Sequence, residues 1–313
     1  MNNPVLILCR EWTRDVRCLH EDLLRRELEV LVLRPAQIQV KAEGQELQLW
    51  YEGAPLKPAL VVGWTSGMEG HYGNFLLKMF KQLGYTVIND GPTLEAMQSK
   101  AMNSALLVRH NLPHVPALIC GRDTPVRCIV EALGLPLVFK PDNGSKGEGV
   151  RPLYSEAEVL EVLASATDSQ APLYFQQFVD KPGRDIRVQC ADFKPVFGFY
   201  RYAQPGAFLS NIAVGAKIVM SEPLPDEAYQ LAERAARAFN AAMAGVDLIE
   251  TAEGLKILEV NSVPGFQTVA PKAGEFSALL MPLCDKATVV FGDMIELRLN
   301  TAVISAGMTA LPA

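Results

Sequence analysis

The sequence predicts an α/β protein that begins with a doubly wound parallel sheet and continues into α+β units. In the first 90 residues, short apolar runs of strand length alternate with stretches of helical periodicity. Consecutive parallel strands need a crossover, usually a helix, so this alternation predicts a parallel sheet covered by helices. A chain of 313 residues, of which 49% are hydrophobic, has room for about two domains with sizeable cores.

The first unit is expected over residues 1–91. Its strands are predicted at residues 5–9, 30–33, 59–62 and 85–88. Thr13 is a suitable N-cap for a first helix that reaches residue 28, because its hydroxyl can accept a hydrogen bond from the first turn. A polar hairpin-like segment is predicted at 47–51 and a second helix at 75–83.

A small middle lobe is expected over residues 92–172. Its predicted elements are a helix at 94–110, a strand at 115–120, a helix at 127–133, a strand at 137–141 and a helix from Ser155 to 162. Between the last strand and the last helix lies the glycine-rich stretch 143–149. Glycines between two strands expose backbone N–H groups that can fold over an anion. A flexible hairpin turn nucleated by Asn143-Gly144 is the alternative.

The third unit is expected over residues 173–313. Strands are predicted at 174–179, 186–191 and 196–202, a helix at 225–243, a hairpin at 244–250 and 255–262, and a final helix at 279–299. The helix at 225–243 has apolar residues at helical spacing, and its alanines allow a close approach to a sheet.

The hairpin carries the main chemical signal of the sequence. Glu259 and Asn261 are two residues apart, so in a strand they point to the same face, and Asp247 on the partner strand can lie opposite them. Three oxygen-bearing side chains that interrupt apolar strands indicate a hard cation such as Mg²⁺, bound together with substrate phosphates. The alternative is an exposed hairpin edge with scattered polar residues.

Several other charged residues are candidates for a functional site, and most of them could equally be ordinary surface residues. Lys140 ends an apolar strand just before the glycine-rich stretch, where its ammonium would point at whatever that loop covers. Lys100 could equally be a solvated surface residue. Asp185, Arg187 and Arg201 lie in strand-like segments, where alternating charge is also typical of a wet face.

Composition argues against several classes of protein and of site. A net charge of −6 gives no overall footprint for nucleic acid. The six cysteines form no C-x-x-C pair, so neither a zinc site nor a disulfide framework is indicated. The four histidines form no ligand pattern, and no G-x-S-x-G is present. The sequence shows no basic leader and no apolar run of about 18 residues, so we expect no membrane span and a cytoplasmic location.

Taken in order, these features resemble the ATP-grasp superfamily, and within it the RimK/LysX-like amino-acid ligases. The motifs that carry the resemblance are G-R-D-I-R-V at 183–188, A-G-V-D-L at 244–248 and E-V-N-S-V-P-G-F at 259–266. They follow two lysines, the glycine-rich stretch and the strand at 174–179, and the match covers roughly residues 93–270. The first 90 residues match only in type, as a pre-ATP-grasp domain in front of a two-lobed ATP-grasp fold.

The resemblance implies a nucleotide and metal site whose members can be named. The residues that would bind ATP are Lys100, Lys140, Gly144, Ser145, Gly147, Gly149, Gln177, Phe178, Val179 and Asp185. The residues that match the ligands of Mg²⁺ (or Mn²⁺) are Asp247, Glu259 and Asn261. The residues expected around the transferred group are Arg187, Arg201 and Asn211. Gln177 stands where the family commonly has Glu, and Leu209 stands where RimK carries Arg, which puts a ribosomal-protein substrate in doubt.

The implied activity is ATP-dependent formation of an amide bond through an acyl phosphate. The expected partners are ATP, an amino acid such as glutamate and a carboxylate on a cofactor, peptide or carrier protein, with no nucleic acid and no membrane. A homodimer or homotetramer is compatible with the resemblance. The alternatives are another ATP-grasp ligase of the glutathione synthetase or D-alanine:D-alanine ligase type, and a non-catalytic, synapsin-like nucleotide-binding protein.

Overall fold

A computed structural model describes residues 3–65, 70–142, 144, 147–167, 172–206, 208, 210 and 215–309. Ser145, Leu209 and Asn211, which the sequence analysis singled out, lie outside the described residues.

The first unit contains a four-stranded parallel sheet. Its elements are β1 (Val5–Cys9), α1 (Arg14–Arg25), β2 (Val30–Leu33), β3 (Gln39–Glu43), β4 (Glu46–Tyr51), β5 (Ala54–Pro55), β6 (Leu60–Trp64), α2 (Gly70–Gln82) and β7 (Val87–Ile88). The strand order is β2-β1-β6-β7, every pairing is parallel, and β3, β4 and β5 form a separate small antiparallel sheet. The predicted parallel sheet is confirmed, and Thr13 caps α1 by accepting from the Val16 amide at 3.4 Å.

The second sheet is antiparallel, with strand order β10-β9-β11-β8. Its elements, with the helices around it, are α3 (Gly91–Gln98), α4 (Lys100–Arg109), β8 (Ala117–Cys120), α5 (Val126–Leu133), β9 (Leu137–Lys140), β10 (Arg151–Leu153), α6 (Glu156–Ser165) and β11 (Leu173–Gln177). Because β11 ends at Gln177, the residues predicted as its last two lie beyond the strand.

The single helix predicted at 94–110 is wrong, because the chain breaks at Ser99. This residue has extended backbone angles, and its hydroxyl accepts from the Met102 amide at 3.2 Å and so caps α4. The same hydroxyl donates to Asp142 Oδ2 at 2.9 Å. The break makes Lys100 the first residue of α4 and turns it towards the loop that follows β9.

The third sheet has five antiparallel strands in the order β14-β13-β12-β15-β16. Its elements and the helices after it are β12 (Arg184–Ala191), β13 (Lys194–Tyr202), β14 (Lys217–Val219), α7 (Asp226–Ala238), β15 (Met243–Thr251), β16 (Gly254–Asn261), α8 (Phe266–Val269) and α9 (Ser277–Thr309). The helix predicted at 225–243 ends early, at Ala238, because Asn240 takes a positive φ of 51° and Met243 already belongs to β15.

Two helices pack this sheet against the rest of the molecule. The apolar stripe of α7, which includes Ala228, Leu231 and Ala235, is fully or nearly fully buried in the same core cluster as residues of β12 and β15. The helix α9 is longer than predicted and packs on α1, where Arg26 pairs with Asp293 and Glu296. The domain boundaries at 91/92 and 172/173 stay a prediction.

None of the described helices combines the length and the apolar character needed to cross a membrane.

Candidate active site

A cavity of about 710 Å³ lies between the second and third sheets. Its walls come from both sheets, from the ends of α3 and α4, and from the segment after β16. Pockets that bind small molecules in proteins have volumes of about 300–1,000 Å³, so the cavity is large enough for a nucleotide. Most of the residues predicted to form the site line it.

One face of the third sheet forms a wall of this cavity. Alternate residues of a strand share a face, and β12 thereby presents Asp185, Arg187 and Gln189 to the cavity. The strand register places Arg187 beside Asp247, which faces Glu259. In the next row, Gln189 lies beside Gly245, which faces Asn261. The predicted hairpin is therefore confirmed, with Asp247 directly opposite Glu259.

Two arginines and two aspartates form a continuous ion-pair network on this wall. Arg201 binds Asp185 through Nε at 2.7 Å and Nη2 at 2.9 Å, and its Nη2 also lies 3.0 Å from Asp247 Oδ1. Arg187 binds Asp247 through Nε at 2.5 Å and Nη2 at 3.1 Å. Asp185 and Arg201 are only 3% and 4% exposed, so the interpretation of these residues as a wet face is wrong.

The network controls the charge of Asp247. Burial alone would raise the pKa of this carboxyl group, but Arg187 and Arg201 outweigh that effect and hold the pKa below its ordinary value. Asn261 Nδ2 also donates to Asp247 Oδ2 at 3.2 Å. The carboxylate is therefore ionised, but both of its oxygens carry hydrogen bonds from the protein itself.

The donors on the hairpin fit a divalent metal only in company with a substrate. The described residues contain no group of three or more His, Cys, Asp or Glu side chains arranged to hold a metal ion. The hairpin instead offers two carboxylates and one amide, Asp247, Glu259 and Asn261, around the same cavity. Mg²⁺ is commonly bound through one or two carboxylates with phosphate oxygens and water in the remaining positions. Coordination by Asp247 would require Arg187 and Arg201 to give up hydrogen bonds to it.

Lys140 lies across the cavity from this network, at the end of β9. Burial lowers its pKa to about 8, and Glu259 opposes the shift whereas Lys100 and Lys181 add to it. No described carboxylate forms an ion pair with Lys140. A partly buried ammonium without a described counter-ion is stabilised by an anionic ligand.

Lys100 supports the loop that follows β9. Its side chain is 8% exposed, and Nζ donates to the carbonyl oxygens of Asp142 at 3.2 Å and Gly144 at 2.8 Å. The interpretation of Lys100 as a solvated surface lysine is therefore wrong. Gly149 further along this loop has a φ of +71°, and a Cβ there would lie 2.7 Å from Pro141 Cγ, so only glycine fits without strain.

The segment after β11 forms another edge of the cavity. Gln177 and Val179 line it, and the Gln177 amide donates to the Pro116 carbonyl at 2.9 Å. Phe178 does not line the cavity but stacks on Phe208, with ring centroids 5.5 Å apart. This arrangement leaves Gln177 exposed at the position predicted to contact the adenine.

Lys181 and Gln189 are among the polar residues of the cavity that the sequence reasoning missed. Lys181 donates to Ser210 Oγ at 2.9 Å, Ser210 donates to Asp185 Oδ2 at 2.7 Å, and burial lowers the pKa of Lys181. The second missed residue, Gln189, is 1% exposed. It continues the alternation that begins with Asp185 and Arg187, and this periodicity was the available signal.

The cavity has a surplus of positive charge. Among the described residues that line it, the cations are Lys100, Lys140, Lys181, Arg187, Arg201 and Lys272, and the anions are Glu95, Asp185, Asp247 and Glu259. Two of these anions are already paired with arginines. The opposite side of the cavity, the lysine wall formed by Lys100 and Lys140, is therefore left to attract a polyanionic ligand. A triphosphate has the matching charge.

Comparison with known protein families matches residues 97–275 to the RimK-like ATP-grasp domain. A probable alpha-L-glutamate ligase of Parasynechococcus marenigrum is 30% identical over 212 residues, which are 67% of this chain and 45% of that protein. The alpha-aminoadipate–LysW ligase LysX of Saccharolobus solfataricus is 32% identical over 198 residues, or 60% of this chain and 70% of that protein. A probable alpha-L-glutamate ligase of Haemophilus influenzae is 26% identical, over 86% of this chain and 93% of that protein.

Solved structures show the same fold at low sequence identity. A RimK domain protein of Sphaerobacter thermophilus has a TM-score of 0.67 at 15% identity and covers 93% of this chain and 98% of its own. The ATP-grasp ligase PsnB, complexed with a minimal precursor, has a TM-score of 0.65 at 22% identity and covers 93% and 100%. The D-alanyl-alanine synthetase A of Vibrio cholerae has a TM-score of 0.65 at 18% identity and covers 92% and 99%. These neighbours confirm the fold that the sequence predicts.

Proposed function

Because the chain belongs to the RimK-like ATP-grasp family, we propose that it is an ATP-dependent carboxylate–amine ligase. The observation that carries the proposal is the cavity with a lysine wall on one side and the Asp247, Glu259 and Asn261 hairpin on the other. The lysine wall suits a triphosphate, and the hairpin oxygens suit the divalent ion that accompanies it.

We assign the residues of this cavity to two groups. Lys100 and Lys140 bind the phosphates, the loop from Gly144 to Gly149 covers them, and Gln177 with Val179 contacts the adenine. Asp185 contributes to nucleotide binding by accepting the hydrogen bond of Ser210, which in turn accepts one from Lys181. These three side chains lie at the nucleotide end of the proposed site. Phe178 supports this edge by stacking rather than by direct contact.

The hairpin residues would hold Mg²⁺, or Mn²⁺ in its place, through oxygen atoms of Asp247, Glu259 and Asn261. The bound ion would neutralise charge on the phosphates and orient the transferred group. Arg187 and Arg201 lie against Asp247, so both guanidinium groups would be close to the transferred group if Asp247 held the metal ion. The protein thus supplies position and charge rather than a covalent intermediate.

The chemistry proceeds in two steps. A substrate carboxylate oxygen forms a bond to the γ-phosphorus of ATP while the bond from that phosphorus to ADP breaks, which gives an acyl phosphate. An amine nitrogen then forms a bond to the acyl carbon, phosphate leaves with the electron pair of the C–O bond, and the nitrogen loses a proton.

The names of the relatives reduce the number of candidate substrates. Two are named as probable alpha-L-glutamate ligases and one as an alpha-aminoadipate–LysW ligase. We propose that the amine is an amino acid, with L-glutamate as the first candidate, and that the acceptor carboxylate belongs to a peptide, a carrier protein or a cofactor. A solved structure of the ATP-grasp ligase PsnB is a complex with the precursor peptide PsnA2 and AMPPNP, which supports a peptide as one acceptor.

The proposed function is tested by phosphate release from ATP with amino acids and carboxylate acceptors added singly and together, with product masses measured. We expect release to require both substrates and the product to gain the mass of the amino acid less water. Glu259→Gln should lower this release by at least about 100-fold, since it removes a metal ligand. Glu253→Gln, an exposed position in the same hairpin, is the control and should be active.

Two results would contradict the proposed function. Phosphate release that is indifferent to both added substrates would indicate an ATPase or a regulatory nucleotide-binding protein. Normal turnover in a folded Glu259→Gln variant would contradict the metal assignment.

A further inference from the structure

Gln189 carries a buried hydrogen-bond acceptor that the described structure leaves without a partner. The side chain is 1% exposed. Its Nε2 donates to the Pro264 carbonyl at 2.7 Å, and this bond fixes which end of the amide is the oxygen. No group among the described residues donates to Oε1. Buried polar atoms are nearly always satisfied, so an acceptor of this kind in a cavity wall is expected to accept a hydrogen bond from a water molecule or from a ligand.

Gly245 makes room for the Arg187 guanidinium beside this oxygen. A Cβ at position 245 would lie 3.0 Å from Gln189 Oε1 and would collide with Arg187 Nη1. Gln189 Oε1 and Arg187 Nη1 therefore lie side by side above Gly245, in the volume that a side chain at this position would fill. Arg187 uses Nε and Nη2 for Asp247, so Nη1 lies outside that pair.

The chemistry of this volume matches the second substrate of the proposed ligase. Arg187 faces the group that is transferred, and the amine must approach the acyl carbon beside that group. A neutral primary amine has two N–H donors and one lone pair. If one N–H is donated to Gln189 Oε1, the position of the nitrogen is fixed while its lone pair is free to attack.

From this geometry we propose that Gln189 binds the amine nucleophile through Oε1 and so selects an amino acid over its deaminated analogue. The proposal rests on the proposed ligase function. In the step that it serves, the C–N bond forms, the C–O bond to the phosphoryl group breaks with its electrons on oxygen, and the extra proton of nitrogen passes to the released phosphate. The group bound is an amine N–H, and no further reagent is needed.

Sequence reasoning from the family motifs would not find this residue. Gln189 lies outside the G-R-D-I-R-V stretch at 183–188, and a glutamine in a strand has no chemical signature of its own. Its role follows from three structural facts together: its burial, the orientation that Pro264 imposes, and the glycine beside it.

The test compares L-glutamate with glutarate, which has the same two carboxylates but lacks the amine. Each is titrated by calorimetry into the full chain with saturating AMPPNP and Mg²⁺. We expect the wild-type protein to bind L-glutamate at least tenfold more tightly than glutarate. Gln189→Met keeps the length of the side chain but removes the acceptor, and should reduce this ratio about tenfold with no change in the affinity for glutarate or for AMPPNP.

Gln267→Met is the matched control. Gln267 is also 1% exposed and also has an orphan Oε1, but it lies outside the cavity and donates to Asp285 and Thr288. This variant should keep the wild-type ratio. If Gln189→Met does not fold, Gln189→Asn retracts the acceptor by one methylene and should lower the ratio in the same direction.

Three outcomes would overturn the assignment. The first is a wild-type protein with no preference for L-glutamate over glutarate. The second is a folded Gln189 variant in which the ratio of the two affinities is unchanged. The third is a variant that loses affinity for AMPPNP while this ratio stays the same, which would make Oε1 a partner of Arg187 instead. In each of these, normal nucleotide binding by the wild-type protein leaves the proposed ligase function standing. Failure of the wild-type protein to bind AMPPNP with Mg²⁺ would instead contradict that function, and the role of Gln189 with it.

Discussion

The two walls of the cavity handle buried charge in opposite ways. On the arginine wall, Arg187 and Arg201 are neutralised by Asp247 and Asp185, and the protein is its own counter-ion. On the lysine wall, Lys100 donates only to backbone carbonyls, and burial lowers the pKa of Lys140 to about 8. The charges of the arginine wall are neutralised without a ligand, whereas the lysine wall gains its counter-ion only from a bound ligand. Substitutions on the two walls should therefore have opposite consequences for stability and binding.

The largest effect is expected from Arg201→Met on the arginine wall. It would leave the buried carboxylate of Asp185 without its bidentate cation, and removal of one partner from a buried ion pair typically costs about 3–5 kcal/mol. Denaturant unfolding should show a loss of this size in the free energy of unfolding.

Arg184→Met is the control for this experiment. Arg184 lies on the neighbouring strand β12 and pairs with the partly exposed Glu222 and Glu250, where an ion pair contributes about 0–1 kcal/mol. Equal losses in the two variants would contradict the view that the arginine wall depends on its internal pairs.

Lys140→Met should have the reverse profile. Removal of a partly buried ammonium that has no described counter-ion is expected to leave the free energy of unfolding unchanged or to raise it. The affinity for AMPPNP with Mg²⁺ should fall by roughly 10- to 100-fold, the range for a charge-assisted hydrogen bond of about 1.5–3 kcal/mol. Calorimetric titration measures this affinity. The control is Lys256→Met, because Lys256 pairs with Glu253 in the wild-type protein. A destabilised Lys140→Met variant with normal affinity for AMPPNP would contradict the assignment of Lys140 to phosphate binding.

The pH dependence separates the walls further. Burial lowers the pKa of Lys140 from 10.5 to about 8, so between these values the unfolded chain holds a proton that the folded chain has lost. Stability rises with pH wherever the unfolded state binds more protons. The free energy of unfolding of the wild-type protein, measured relative to Lys140→Met, should therefore rise from about pH 8 upward and level off near the ordinary lysine pKa.

The smallest effect is expected from Ser99→Ala, which removes the cap that orients Lys100. Loss of an N-cap side chain costs about 1 kcal/mol, and the affinity for AMPPNP should fall only a few-fold because Lys100 keeps its charge. Thr13→Ala removes the corresponding cap of α1, and Thr13 does not line the cavity. It should lower stability to a similar degree with no effect on nucleotide affinity, and a nucleotide effect there would argue against a local role for Ser99.

The sequence predicted the elements that local patterns determine and missed those that depend on strand order. Asp247 opposite Glu259 followed from a two-residue periodicity within one hairpin. The break at Ser99 was missed because helical periodicity continues through it, and only the distant Asp142 shows why the chain turns. The ion pair of Arg201 with Asp247 joins non-adjacent strands of the sheet, which no local pattern encodes.

The most direct test of the two-wall arrangement is a crystal structure of the protein with AMPPNP and Mg²⁺. We predict the triphosphate between Lys140 and the hairpin, the metal on oxygen atoms of Asp247, Glu259 and Asn261, and the hydrogen bonds from Arg187 to Asp247 replaced by contacts with the γ-phosphate. A nucleotide bound elsewhere, with Asp247 still paired to both arginines, would contradict it.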